Sequence, residues 1–171
     1  MQAGKQNTEQ SNRRKKCGVS TIITDKYKME AQLVQIKEQQ KEMWNKFSPG
    51  WKKWDDLSMD FLKPMADEII HLIKPKENDF VLDVASGTGE PGLTIAAMLR
   101  AGKVVAVDLA EGMLEVAREN ATRRGIKNFE IVACDVSELP FPDNSFDAIS
   151  CRMGFMFFPD IYCFLFVCSY E

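Results

Sequence analysis

A glycine-rich turn that follows a short apolar run carries the clearest chemical signal in this sequence. Residues 80–84 have the length and composition of a buried strand, and Gly87-Thr88-Gly89-Glu90-Pro91-Gly92 comes shortly after them. Glycines at this spacing let the backbone approach a bound cofactor without a Cβ in the way. The GxGxxG spacing, with an acidic residue about twenty positions later, is also typical of nicotinamide-dinucleotide sites. The glycines alone therefore leave two cofactor classes open.

Three carboxylates favour one of these classes. Asp83 closes the apolar run before the turn, Asp108 ends a second apolar run, and Asp135 follows a third. A carboxylate at position 83 would repel a pyrophosphate, whereas it would attract the cationic methionine end of S-adenosylmethionine. Asp108 can accept from both ribose hydroxyls, and Asp135 can accept from the adenine amino group. Because the carboxyl ends of parallel strands border one crevice, we expect all three there.

The elements that must position these carboxylates alternate between two periods. Apolar runs of strand length are separated by segments of helical periodicity, which predicts parallel βαβ units with right-handed crossovers. Gly102 and Gly125 are predicted to end the two intervening helices. The fold class is therefore α/β. The predicted strands cover residues 80–84, 104–108, 129–133 and 146–151, and the predicted helices start near 91 and 111.

The N-terminal third has a different character. Residues 1–28 are polar and basic without apolar periodicity, which predicts a disordered tail. Residues 29–75 form a predicted helical cap, broken at Ser48-Pro49-Gly50 and kinked or restarted at Pro64. Residues 76–160 form the predicted cofactor-binding half-domain. Residues 161–171 are a divergent apolar tail, at best a buried strand and too short to span a bilayer.

From about residue 51 to residue 160, the chain resembles the class I S-adenosylmethionine-dependent methyltransferases of the small-molecule type, similar to the ubiquinone/menaquinone-biosynthesis C-methyltransferases. The motifs that carry the resemblance are VLDVASGTG at 81–89, VDLAEGML at 107–114, ACDV at 133–136 with LPFPDNSFD at 139–147, and CRMGFMFFPD at 151–160. The resemblance implies that Leu109 and Met113 sandwich the adenine. Its implied cofactor-binding residues are Asp83, Ala85, Ser86, Gly87, Thr88, Gly89, Asp108, Leu109, Met113, Asp135, Val136 and Cys151.

Two departures from the family pattern stand out. Ala85 occupies a position where the family usually has glycine, which we expect to be tolerated. The complete family sheet has seven strands, whereas this sequence changes character at Ile161 and ends at Glu171. The resemblance therefore implies the N-terminal, four-strand half of a Rossmann-like fold, with the later strands missing.

Simpler interpretations of several site residues stay open at this stage. Asp135 can be an ordinary loop residue or a helix cap, and Met113 can belong to the helix core. Cys151 can be a small buried thiol. Arg152 can contact the acceptor or the cofactor carboxylate. The sequence nominates no general base and no other catalytic residue.

The resemblance implies methyl transfer from S-adenosylmethionine to a small-molecule acceptor. One alternative is a truncated, inactive fragment that binds only the cofactor or a partner. A second is an NAD(P)-dependent oxidoreductase, which rests on the glycine spacing alone.

Composition limits the remaining partners and the compartment. Residues 1–28 hold seven Lys/Arg against two acidic residues, whereas the remainder holds fifteen against twenty-three. An acidic body argues against a nucleic-acid surface. Five cysteines without metal-ligand spacing predict free thiols, no metal site and a cytoplasmic location, with a mitochondrial address at Arg13-Arg14-Lys15-Lys16 as the alternative. No membrane span is expected, and a homo-oligomer or a full-length partner stays open.

Overall fold

The computed structural model of this chain describes residues 3–159, with side chains from Tyr27 onward. Contacts divide the chain into two units, residues 1–38 and residues 39–171. In the described part of the first unit, the backbone is a single helix. The second unit contains the sheet and the site. The apolar tail predicted at 161–171 lies outside the described residues.

Four parallel strands form the sheet, in the order β3-β2-β1-β4. They are β1 (Phe80–Val84), β2 (Lys103–Asp108), β3 (Phe129–Ala133) and β4 (Ala148–Cys151), joined by α3 (Gly92–Met98) and α4 (Glu111–Arg124). The predicted α/β class and four-strand parallel sheet are confirmed. The fourth strand starts at Ala148, two residues later than predicted, although the Asp147 N–H already donates to the Phe80 carbonyl. Two 3-10 turns, Val136–Glu138 and Phe155–Phe157, follow β3 and β4.

The N-terminal helices are longer than their sequence suggests. Helix α1 runs from Ala3 to Lys53, so it continues through the break predicted at 48–50 and includes residues 3–28 of the segment predicted to be disordered. The chain has no proline before Pro49, so nothing interrupts the helix earlier. At Pro49 the missing N–H is replaced, because the Ser48 hydroxyl donates to the Asn45 carbonyl at 2.9 Å.

Helix α2 (Asp55–Ile73) likewise continues through Pro64. It ends at Lys74 in the left-handed conformation, with a φ of 47°, immediately before Pro75. The end predicted at Pro75 is therefore confirmed, whereas a fresh start at Pro64 is not found. None of the helices in the described part of the chain is both long enough and apolar enough to cross a membrane.

The alternation of side chains along β1 assigns its residues to two apolar layers. Val81 packs on one face with Ile95, Leu99 and Val104. Leu82 and Val84 pack on the other face, against residues of β2 and of the segments that follow β3 and β4. Side chains two apart in a strand share a face, so Asp83 points to the same side as Val81, toward α3. The sheet thus buries a carboxylate inside an otherwise apolar layer.

The first turn of α4 is capped by another helix. Ala110, the residue before α4, offers no side-chain cap. Asn45 of α1 supplies it, since its Oδ1 accepts the Gly112 N–H at 2.7 Å. A Cβ on Gly112 would lie 2.8 Å from the Ser48 hydroxyl oxygen, so glycine allows α1 to approach this closely. The end of α1 therefore packs closely against the start of α4, the helix that follows β2, and caps it.

Replacing Asn45 tests this cap. Asn45→Ala removes the acceptor, and we expect the free energy of unfolding to fall by about 1 kcal/mol. Asn45→Asp keeps the acceptor and adds a charge that the helix N-terminus favours, so it should retain wild-type stability. Urea unfolding measures both, with exposed Lys46→Ala as the matched control. Equal stability of Asn45→Ala and wild type would contradict the capping role.

Candidate functional site

The glycine-rich turn folds back across the carboxyl ends of β1 and β2. The Ser86 N–H donates to the Val107 carbonyl at 3.0 Å, which joins the turn to β2. Gly87 and Gly89 have φ values of 56° and 109°. A Cβ on Gly89 would lie 2.7 Å from Leu93 Cδ1, at the start of α3. Gly89 is thus required by both conformation and space, which matches its predicted place in a cofactor cradle.

Asp108 fixes the turn from the end of β2. Its Oδ2 accepts the Gly87 N–H at 3.0 Å, and its Oδ1 accepts the Ala110 N–H at 2.9 Å. Burial raises the pKa of Asp108, against the lowering effect of these backbone donors. Each carboxylate oxygen can accept a further hydrogen bond. Asp108 therefore shapes the loop and keeps acceptor capacity at the place where the sequence predicts a ribose.

Asp83 is completely buried beneath the same turn. It pairs with Ser150 in the ladder between β1 and β4, and the Ser150 hydroxyl donates to its Oδ1 at 2.6 Å. Its Oδ2 has no hydrogen-bond partner of normal geometry in the structure. Burial raises the pKa of Asp83 to about 6, although Ser150, Ser86, the Gly92 backbone and the charge of Arg152 lower it. The site therefore contains a buried carboxyl group with one oxygen that can accept a further hydrogen bond.

Ala85 has a left-handed backbone, with a φ of 51°. This conformation is costly for any residue with a Cβ, which explains why the family pattern has glycine there. The Ala85 methyl group also faces Gly154, where a Cβ would lie 2.5 Å from the Ala85 Cβ and 2.8 Å from the Cys151 sulfur. Gly154 is therefore required at the end of β4. Sequence reasoning missed it, since no turn pattern marks it.

The other predicted site residues lie in or near the turn and in the segments that follow the strands. Met113 is buried, and its Cε lies 3.5 Å from a Cβ built on Gly87, so it contacts the turn while also belonging to the helix core. Asp135 caps the 3-10 turn, accepting from both the Ser137 N–H and hydroxyl at 2.9 and 2.8 Å. Residues at strand ends or in the turn are buried or half-buried: Ser86, Thr88, Leu109, Val136 and Cys151.

A polar junction that sequence reasoning missed lies behind the turn. Asn120 of α4 donates to the Thr88 carbonyl at 3.0 Å and to Asp55 Oδ2 at 2.9 Å. Arg123 donates to Asn120 Oδ1 at 3.1 Å. Asn120 and Asp55 are both buried. Only the apolar spacing of α4 was visible in the sequence, and a polar residue within it carries no mark of its partners.

Arg152 lies near this junction, after β4. Its Nη2 lies 3.3 Å from the Met59 sulfur of α2, and its buried Nη1 has no partner of normal geometry in the structure. Burial lowers the pKa of Arg152, whereas the charges of Asp83, Glu90 and Asp55 raise it. An arginine so placed stays protonated. The site therefore brings a half-buried cation close to Asp83. No cluster of metal-ligating side chains is found in residues 3–159.

The methyltransferase domain family matches residues 81–165. The chain is 31% identical over 121 residues to an aklanonic acid methyltransferase of Streptomyces sp., covering 70% of this chain and 55% of that protein. It is also 31% identical to a demethylmenaquinone methyltransferase of Listeria monocytogenes, covering 51% of that protein. The chain thus spans about half the length of the curated relatives it matches.

Solved structures that align with this chain are also described as methyltransferases. An S-adenosylmethionine-dependent methyltransferase from Aquifex aeolicus aligns with a TM-score of 0.56 and 30% identity, over 61% of this chain and 56% of that one. A methyltransferase-like structure from Methanococcus maripaludis aligns with a TM-score of 0.64 at 22% identity, which supports the fold alone. Between the two cofactor classes left open by the glycine spacing, these comparisons favour the adenosyl sulfonium.

Ala85→Gly tests the strain in the turn. Relief of the left-handed penalty, about 1–2 kcal/mol, exceeds the extra flexibility of an unfolded glycine, so we expect about 0.5–1 kcal/mol of added stability. Ala97→Gly, at the exposed second-to-last position of α3, is the matched control and should lower stability by about 0.5–1 kcal/mol. Chemical unfolding decides between them. A loss of stability in both variants would contradict the strained conformation.

The pKa of Asp83 predicts a pH-dependent stability. A carboxyl group with a folded pKa of about 6, against 3.8 unfolded, binds more protons when folded. Its favourable contribution is therefore complete below pH 3.8 and is lost as the pH rises through 6, by about 3 kcal/mol at most. In Asp83→Asn, the decline of the unfolding free energy across this window should disappear, measured by urea unfolding. A difference from wild type that does not vary with pH would refute the assignment, and exposed Asp143→Asn is the control.

Proposed function

The chain belongs to the class I S-adenosylmethionine-dependent methyltransferase family, and we propose that its site binds S-adenosylmethionine for methyl transfer to a small-molecule acceptor. The observation that carries this proposal is the carboxylate of Asp108 at the end of β2, bonded to the Gly87 N–H at 3.0 Å and facing a turn with two left-handed glycines. A cofactor carrying a ribose and a cation suits these acceptors.

The residues present fit the two ends of this cofactor. Asp108 would accept from the ribose hydroxyls, and Leu109 and Met113 would flank the adenine. Asp135 would accept from the adenine amino group beside Val136. At the other end, the orphaned Oδ2 of buried Asp83 suits an ammonium group. Ala85, Ser86, Thr88 and Cys151 would line the path between the two ends.

Arg152 would pair with the carboxylate of the methionine end. It carries the permanent positive charge closest in sequence to the end of β4, and its Nη1 is buried without a partner of normal geometry in the structure. A guanidinium binds a carboxylate through two parallel hydrogen bonds. Asp83 and Arg152 interact electrostatically, so together they would match the opposite charges of an amino-acid zwitterion.

The cofactor supplies a methyl group already activated by its sulfonium charge. The protein then needs chiefly to orient this group toward the acceptor and to exclude water. The rigid turn, fixed by Asp108 on one side and by Asn120 on the other, would do the first. Trp44 and Phe157, whose rings are 5.0 Å apart, connect α1 to the 3-10 turn after β4 and would help to do the second.

A small-molecule acceptor is supported by the names of the curated relatives. The identity of the acceptor and of any general base would depend on parts beyond this cradle, because the chain matches only about half of those relatives. Binding of cofactor without transfer is the second candidate, and the same half-length match favours it. The free thiol of Cys134 supports a reducing compartment such as the cytoplasm.

Ligand binding provides the test. Isothermal titration should show binding of S-adenosylhomocysteine but not of NADH. Asp108→Ala should weaken this binding by about 100-fold, since two hydrogen bonds to a charged group are lost. Asp143→Ala, an exposed aspartate of the loop before β4, is the control and should bind as wild type does.

Transfer is measured separately, with radiolabelled S-adenosylmethionine and with demethylmenaquinone and aklanonic acid as trial acceptors. Labelled product from either acceptor supports the full proposal. Binding of S-adenosylhomocysteine without labelled product supports the binding-only candidate. Wild-type protein that binds NADH in preference to S-adenosylhomocysteine would overturn both.

A further inference from the structure

Asn120 makes three hydrogen bonds at the back of the glycine-rich turn, and none of them belongs to the backbone pattern of α4. Its Nδ2 donates to Thr88 O at 3.0 Å and to Asp55 Oδ2 at 2.9 Å, while its Oδ1 accepts from Arg123 Nη2 at 3.1 Å. Asn120 is only 7% exposed and Asp55 only 4%. A buried amide satisfied in this way has a fixed orientation.

The bond to Thr88 links this amide to the cofactor cradle. Thr88 lies between Gly87 and Gly89, two glycines with left-handed backbone. A glycine pair of this kind has many accessible conformations, so one peptide held from behind removes much of the freedom of the turn. Asp108 holds the 86–87 peptide through the Gly87 N–H, and Asn120 holds the 88–89 peptide through the Thr88 carbonyl. The turn is therefore held on both sides of the 87–88 peptide, from β2 and from α4.

The bond to Asp55 links the same amide to the N-terminal helices. Asp55 is the first residue of α2, and its Oδ2 also lies 3.5 Å from the Arg123 guanidinium. The Asn120 side chain is thus hydrogen-bonded both to the start of α2 and to the glycine-rich turn. An asparagine is required for this, because only an amide offers two donors to the two acceptors and an acceptor to Arg123.

We propose that Asn120 is a positioning residue that sets the conformation of the glycine-rich turn for cofactor binding and couples it to the start of α2. The inference rests on the proposed function in so far as the ligand is the adenosyl cofactor. It assigns to Asn120 no contact with that ligand. Its effect passes through the Thr88 carbonyl alone.

Exchanging the side chains at positions 55 and 120 distinguishes a positioning role of Asn120 from a role in helix packing alone. Asn120→Asp places two carboxylates together and should lower the melting temperature sharply. In the double variant Asp55→Asn/Asn120→Asp, the amide at position 55 donates to the carboxylate at 120, so the pair is restored and the melting temperature should recover. The Thr88 carbonyl then still lacks its donor. We therefore expect the double variant to bind S-adenosylhomocysteine at least tenfold more weakly than wild type.

Arg123→Met is the matched control. It removes the donor to Asn120 Oδ1 but leaves both bonds from Nδ2, so affinity for S-adenosylhomocysteine should stay within threefold of wild type. Recovery of the melting temperature and of affinity together in the double variant would overturn the proposal, since Asn120 would then serve only to join α2 to α4.

Hydrogen exchange provides a measurement that needs no ligand. In Asn120→Ala, peptides covering residues 85–92 should exchange faster than in wild type by a larger factor than peptides covering 129–133 of β3. Equal factors in the two segments would overturn the proposal, including in the case where the double variant is too unstable to compare. Wild-type protein that does not bind S-adenosylhomocysteine would refute the proposed function but leave this exchange result decisive for Asn120.

Discussion

The carboxylate of Asp108 is the group on which the geometry of the site depends. The N–H groups of Gly87 in the turn and of Ala110 before α4 have no partner in the β-ladder, and a glycine-rich turn has many accessible conformations. Asp108 resolves both problems, because its two oxygens accept the N–H groups of Gly87 and Ala110. One side chain thereby fixes the turn after β1 and the entry to α4 after β2. The conformation of the turn is therefore fixed by hydrogen bonds to the Asp108 carboxylate and not by the glycines themselves.

The sheet and the ends of its strands could be predicted from the sequence because they depend on local information. Apolar runs of strand length and turn residues can be recognised one segment at a time, and Gly125 ends α4 as expected, with a φ of 69°. The long helix α1 could not be predicted in the same way. Its polar N-terminal residues give no apolar stripe, and the passage through Pro49 depends on a hydroxyl one residue earlier. The helix-breaking effect of Pro49 is thus offset by a hydrogen bond from the residue before it.

The site shows the same division between local and long-range information. Residue type and spacing identify Asp83, Asp108 and the glycines in the sequence. No such pattern identifies Asn120, Asp55 or Gly154. Asn120 and Asp55 are 65 residues apart and become partners only when α4 packs beside α2. Gly154 is needed because the Ala85 methyl group and the Cys151 sulfur both lie opposite it. Such pairs are properties of packing, and no single-segment pattern can reveal them.

The contacts described around the glycine-rich turn all come from elements in the first four strands and the helices beside them. Asp108 belongs to β2, Asn120 to α4, and Ser150, which bonds Asp83 at 2.6 Å, to β4. The cradle does not depend for these bonds on the parts of the relatives that lie outside the match. The proposed recognition of the cofactor would therefore be separable from that of the acceptor in this architecture, because the former would depend on polar bonds at the strand ends. A change of acceptor would leave those bonds intact, whereas a change at Asp108 would disturb the turn itself.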